Sequence, residues 1–225
     1  HGHILPDSDG ALNGSEQSLR ASLAAQYQRM EQLGLNELSS GNLSVRLGSG
    51  MLISATGATA ASVTPETLVA CSFGGEFDGN LRPSSEWQMH AGIYTHCPDA
   101  QAVVHTHSDA CVALASHVAP LPGFHYLVGT FGGNDVPCVP YSTFGTPALA
   151  ADAGNALADR TACLLGNHGM IARGKTLAAA ADTAHRLEIL CRQYLLARRL
   201  GEPRLLTESE WADFHAAADD YPIHD

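Results

Sequence analysis

The 225 residues are 45% hydrophobic and 16% charged, an ordinary balance for a chain that buries one large core or two small ones. A net charge of -11 repels phosphate-rich polymers, so nucleic acid is not an expected partner. No apolar run approaches the roughly 20 residues a bilayer span needs and no secretory signal is visible, so no membrane role is expected.

In chain order, residues 1–15 read as a tag remnant or loose tail, and His1 and His3 are discounted as ligands. Residues 16–225 read as a single domain. "SLRASLAAQYQRMEQLG" has helical period, with Ser18 as its N-cap and Gly34 just past its end. "NLSVRL" and "GMLISAT" form a strand pair around Gly48 and Gly50, and "LVACSF" is a short apolar strand. "SSEWQMHAGIYTHCP" opens on serines and stops at Pro98, which suits a helix. "AQAVVHTH" is a strand, and "VPCVPYS", with two prolines, is an edge strand.

"GTPALAADAGNALAD" places Thr146 at an N-cap and Pro147 at the first helical position. "TACLLGNHGMIARG" reads as two strands joined by a Gly-Asn-His-Gly turn. A long amphipathic helix follows and closes at Gly201. "TESEWADFHAAA" opens with the capping box Thr207 and Glu210. The mixture predicts a central sheet flanked by helices. Six cysteines without a C-x-x-C pair fit small core residues in a reduced, cytoplasmic chain.

Four features bear on chemistry. The single lysine, Lys175, sits in "IARGKT", an exposed turn. Schiff-base chemistry needs a desolvated lysine, so carbanion chemistry here would need another electron sink, for which a metal is the obvious candidate. His105 and His107 stand two apart at a strand end and therefore project the same way. They read either as surface imidazoles or as half of a metal grip. His168, between glycines, reads either as a solvent-facing turn residue or as a third ligand.

Ser84 and Ser85 sit at a helix start with Glu86 in the first turn, a simple cap or an anion site. Glu86 and His90 share a helix face, which suggests a rival metal pair, although a packing histidine is the plainer reading. "SSGNLS" and "SATGAT" are turns that can present backbone N–H groups to anions. With Ser84 and Ser85 they would make a lysine-free phosphate cup.

Taken in order, "SSGNLSVR", "MLISATG", "LRPSSEWQMH", "PDAQAVVHTHS", "GFHYLVGTFGGNDVPCVPYSTFGT" and "LLGNHGMIARG" resemble the class II aldolase/adducin family, most like its L-fuculose-1-phosphate aldolases. The likeness runs from about residue 20 to about residue 215. It implies a three-layer α/β/α fold around a mixed sheet, and a homotetramer with active sites at subunit interfaces. It assigns His105, His107 and His168 to one divalent metal, usually zinc, with cobalt or manganese as alternatives. Glu86 resembles the residue that caps the free metal and becomes the proton-transferring base.

The same resemblance implies that Asn42, Gly57, Ser84 and Ser85 hold the substrate phosphate, with Gly41 and Thr56 beside them. Tyr126 matches a tyrosine that crosses an interface to protonate the aldehyde oxygen. Phe144 matches an aromatic of the aldehyde pocket, and Tyr221 a C-terminal tyrosine over the site. The implied reaction is reversible cleavage of a ketose 1-phosphate into dihydroxyacetone phosphate and an aldehyde. L-fuculose 1-phosphate and 5-deoxy- or methylthio-pentulose 1-phosphates are the implied substrates. Pentulose-phosphate 4-epimerases and methylthioribulose-1-phosphate dehydratases on the same fold stay open. The epimerases tend to carry Asp where Glu86 stands, which favours the lyase. A non-enzymatic adducin-like scaffold would have lost the histidines, and all three are present.

Overall fold

The structure, a computed structural model, describes residues 9–221; His1 and His3 lie outside the described residues. Helix α1 spans Asp9–Gln32, so Ser18 lies inside the helix and does not cap it. The stretch before Leu19 carries no apolar period, which is why the sequence hides the first turns. The expected stop holds: the chain turns at Gly34, with φ +74°. Leu23, Tyr27 and Met30 recur at helical spacing and are almost fully buried. Burying each such side chain contributes about 1.5–3 kcal/mol.

Strands β1 (Asn42–Leu47) and β2 (Gly50–Ile53) form an antiparallel hairpin in which Leu47 pairs Gly50. Strand β3 (Val69–Cys71) adds beside β2. Helix α2 spans Trp87–His96, and its N-cap is Glu86, one position later than a serine cap would place it. Strand β4 is Ala102–Thr106, followed by a short helix α3, Asp109–Ala115. The seven residues of α3 have too few turns to show a period in sequence.

Strand β5 (Cys138–Val139) is followed by α4 (Pro147–Ala156), where Thr146 Oγ1 caps by accepting from Leu149 N–H. Strands β6 (Ala162–Leu165) and β7 (Gly169–Gly174) then pair antiparallel around the Gly-Asn-His-Gly turn. Helix α5 is Leu177–Arg198, and α6 is Glu208–Asp220 with the Thr207–Glu210 capping box formed.

The strand order is β3-β2-β1-β4-β7-β6-β5. Neighbours run antiparallel except β5 and β6, which are parallel, so the sheet is mixed and β5 is an edge as its prolines require. Alternation along the strands divides the core. Leu43, Val45, Leu52, Val104 and Met170 face α1, α3 and α5. Met51, Ile53, Val103, Cys163 and Ile171 face Met89 and Ile93 of α2 and Leu149 of α4. The result is the three-layer α/β/α arrangement. No described helix is long and apolar enough to cross a membrane, and all six cysteines are free.

This topology gathers chemistry at one end of the sheet. β1 starts where β2 and β4 end and where β7 begins, since Asn42 pairs His105, Ser44 pairs Ile53 and Thr106 pairs Met170. Residues 39–42, 54–57, 105–107 and 167–169 therefore meet there, although they are far apart in the chain.

Candidate active site

His105, next to last in β4, is fully buried, and its Nδ1 lies 2.7 Å from the Met170 carbonyl on the neighbouring strand. A carbonyl can only accept, so Nδ1 carries the proton and Nε2 presents a lone pair. His107 stands just past the strand with its Nε2 3.0 Å from that of His105. His168 arrives from the β6–β7 turn, where Asn167 takes φ +55°. Gly169 lets that turn close, because a Cβ there would lie 2.3 Å from the Thr106 carbonyl oxygen. The three ring centroids are mutually 4.8 Å apart, with rings nearly perpendicular.

All three imidazoles are held neutral. Burial lowers His105 well below the ordinary histidine range, and the neighbouring His168 and His107 add to it. Burial lowers His107 as well, and takes His168 down to about 4. Neutral imidazoles are what a metal ligand must be. The three donor atoms lie within 4.8 Å of one another. The 3.0 Å between the His105 and His107 nitrogens is near the ~3.3 Å that two 2.0–2.1 Å bonds at a tetrahedral angle would give. The donor set therefore fits one divalent metal ion.

Glu86, expected to cap the metal, lines the same cleft but is not among the three clustered donors. It is 5% exposed, and its Oε2 has no partner among the described residues. Burial pushes its carboxyl up to about 7, with a backbone hydrogen bond from Gly145 acting the other way. A buried carboxyl oxygen without a partner, in the cleft that three lone-pair donors also line, is what a site for a cation or a polar ligand would leave.

The four residues line a cleft of about 560 Å³. One wall is the loop Gly41–Asn42, where Gly41 takes φ +80° and a Cβ would meet Asn36 Oδ1 at 2.2 Å. Thr56 and Gly57 form a second wall, and Ser84 and Ser85 a third, at the N-terminal end of α2. Among the described residues lining the cleft there is no lysine or arginine. An anion there would be met by hydroxyls, backbone N–H groups and the α2 dipole. Phe144, 62% exposed, stands at the rim.

Two expected residues lie elsewhere. Tyr126 is half-exposed on a 3₁₀ turn, Tyr126–Phe131, stacks on His125 and meets Phe214 at a tilt. Tyr221 is an exposed C-cap of α6. Neither lines this cleft of its own chain. The lining also includes residues the sequence reading did not single out: Ser39, Ser40, Ala55, Tyr141 and Asn167. Ser39, Ser40 and Ala55 lay inside quoted turns, and Tyr141 and Asn167 flank Phe144 and His168 in the motifs.

His90, the rival ligand, joins no metal cluster. It is fully buried on α2, held neutral by burial that takes it down to about 3, and hydrogen-bonded at both ring nitrogens.

Lone-pair nitrogens, a carboxyl poised near neutrality and an anion cup without lysine are the parts of an enzyme that works through a metal ion rather than a Schiff base. The chain belongs to the class II aldolase and adducin family: residues 21–195 match the class II aldolase and adducin N-terminal domain. It is 44% identical over 199 residues to a 5-methylthioribulose-1-phosphate/5-deoxyribulose-1-phosphate aldolase of Rhodospirillum rubrum, covering 88% of this chain and 90% of that one. It is 41% identical over 174 residues to an L-fuculose phosphate aldolase of Escherichia coli O6:H1, covering 77% and 81%. A solved L-fuculose 1-phosphate aldolase superposes with a TM-score of 0.84 at 31% identity, covering 90% of this chain and 96% of that one.

Proposed function

We propose that the protein is a class II, metal-dependent aldolase that reversibly cleaves a ketose 1-phosphate into dihydroxyacetone phosphate and an aldehyde. The observation that carries this reading is the convergence of His105, His107 and His168 on one point in the cleft that the orphaned Glu86 carboxyl also lines. The family and the aldolase relatives support it.

His105, His107 and His168 would hold the metal, zinc before cobalt or manganese, because three neutral imidazoles with an open position suit a catalytic zinc. A bound metal would supply Lewis-acid stabilisation of the charge that develops on the ketone oxygen as the carbon–carbon bond breaks. Asn42, Ser84 and Ser85, with the N–H groups of Gly41 and Gly57 and the hydroxyl of Thr56, anchor the phosphate. The ketone end of the substrate then reaches the imidazoles.

Glu86 moves the carbon-bound proton. In cleavage its protonated carboxyl delivers a proton to the carbon that has lost its partner, giving dihydroxyacetone phosphate. In synthesis its carboxylate removes that proton. Burial raises the carboxyl, the direction that lets one group both give and take a proton near neutral pH. In synthesis the hydroxyl of Tyr126 from a neighbouring copy, in a homotetramer with interface sites, gives its proton to the aldehyde oxygen as the carbon–carbon bond forms, and in cleavage the resulting phenolate takes that proton back. The exposure of Tyr126 and its place outside its own cleft support that assignment. Tyr221 would cover the site from the C-terminal end.

The aldehyde fragments expected from fuculose, 5-deoxyribulose and methylthioribulose 1-phosphates each end in a methyl group. The exposed rings of Tyr141 and Phe144 at the rim suit such an end. The free cysteines suit the cytoplasm.

The test is incubation of purified protein with fuculose, rhamnulose, 5-deoxyribulose and methylthioribulose 1-phosphates. Dihydroxyacetone phosphate is detected by a coupled NADH assay, with and without chelator. Chelator-sensitive product is expected, and the fastest substrate names the aldehyde. No product from metal-loaded protein overturns the reading and moves the search to epimerase or dehydratase activity.

A further inference from the structure

Behind the cleft a chain of hydrogen bonds runs through the layer between the sheet and α2. Tyr94 Oη lies 2.8 Å from Ser44 Oγ, and Ser44 Oγ lies 2.6 Å from His90 Nδ1. His90 Nε2 lies 2.5 Å from Asn42 Oδ1. Ser44 and His90 are fully buried and Tyr94 nearly so; Asn42, the last member, is the one that lines the cleft. No described residue bonds the Asn42 Nδ2.

The direction of the chain follows from what each atom can do. Asn42 Oδ1 can only accept, so His90 must donate from Nε2. Its Nδ1 is then bare and accepts from the Ser44 hydroxyl, whose oxygen accepts from Tyr94. In this polarity Asn42 keeps both N–H bonds of Nδ2 for the cleft. In the reverse polarity the amide is turned over, Nδ2 is spent on His90, and a carbonyl oxygen faces the cleft. An anion rejects the second arrangement and accepts the first.

We propose that His90 is a positioning residue: its bond to Asn42 Oδ1, backed by Ser44 and Tyr94, fixes the Asn42 amide with its N–H groups turned toward the substrate phosphate. The proposal rests on the reading of this cleft as a phosphate site. His90 touches no substrate atom and acts through Asn42 alone. Three consequences follow. Losing His90 weakens anion binding more than turnover. Glutamine at 90, whose amide nitrogen can take the place of Nε2, preserves it. The effects of losing His90 and Asn42 do not add.

The experiment measures calorimetric binding of dihydroxyacetone phosphate and inorganic phosphate to the metal-loaded protein, with KM and kcat for the best ketose 1-phosphate. His90→Met is expected to weaken both ligands and raise KM about 10-fold or more, with kcat within about 3-fold. His90→Gln should stay within about 3-fold of the parent, and His90→Met/Asn42→Ala should bind no worse than Asn42→Ala alone. Ser44→Ala should weaken binding in the same direction and carries the test if His90→Met does not fold. Parent-like binding in His90→Met, or in Ser44→Ala where that variant carries the test, overturns the proposal alone, as do additive losses in the double variant. A parent protein that binds neither ligand overturns it together with the phosphate reading.

Discussion

Asn42 and His105 are directly opposite partners on β1 and β4, at the end of that ladder nearest the cleft. Opposite residues of an antiparallel pair project from the same face. One register therefore sets the distance between the proposed phosphate anchor and the proposed metal ligand, without help from a loop. The two functions should separate by mutation. His105→Ala should lower metal affinity at least about 100-fold and abolish turnover, while inorganic phosphate binding changes little. Metal analysis and calorimetry on the same sample check this.

Glu86 gives a prediction with a sign. Its carboxyl is raised to about 7 in the fold from an ordinary value of 4.5, so the folded chain binds the proton more tightly than the unfolded chain does. In the metal-free protein its burial thus costs stability progressively as pH rises from 4.5 through 7. Glu86→Gln should stabilise the metal-free protein by about 1–3 kcal/mol at pH 8 and by almost nothing at pH 4. Urea denaturation at the two pH values measures it. The same variant should lose turnover by about 100-fold or more, because an amide carries no proton to the carbon.

The sheet-end imidazoles were legible because a strand period of two puts His105 and His107 on one face, and glycines flag the turn that carries His168. The edge position of β5 was legible from its prolines. Other features were not. Glu86 sits at the N-cap rather than in the first turn, because the chain is still turning at Ser85 and Glu86 and Ser84 Oγ accepts from Glu86 N–H. Tyr141 reaches the cleft through the parallel pairing of β5 with β6, a contact no local pattern encodes. His90 looked like a packing residue, and it is one. Its tie to Asn42 spans 48 positions and emerges only once α2 lies on β1.

Lys175 lies exposed between β7 and α5, away from the cleft. Lys175→Ala should keep kcat/KM within about 2-fold, since it removes no group the reaction uses. Borohydride added with substrate should trap no covalent adduct on the parent protein, because a Schiff base needs this amine. Mass spectrometry of the intact chain reads the result.

Gly41 holds the proposed phosphate loop in a left-handed conformation that other residues rarely adopt. At φ +80°, with Asn36 Oδ1 at 2.2 Å from any Cβ, alanine meets both backbone strain and a clash. Gly41→Ala should cost about 1–3 kcal/mol in stability and raise KM for the phosphorylated substrate at least about 10-fold. Thermal denaturation and steady-state kinetics separate the two effects.

The most direct test of the whole account is a metal add-back titration. Protein stripped with chelator is supplied with increasing zinc, and dihydroxyacetone phosphate release from the best ketose 1-phosphate is followed at each step. The account predicts no release from the stripped protein and a rise that saturates at one ion per chain, with no such rise in His168→Ala. Full activity in the stripped protein, or an equal recovery in His168→Ala, would contradict it.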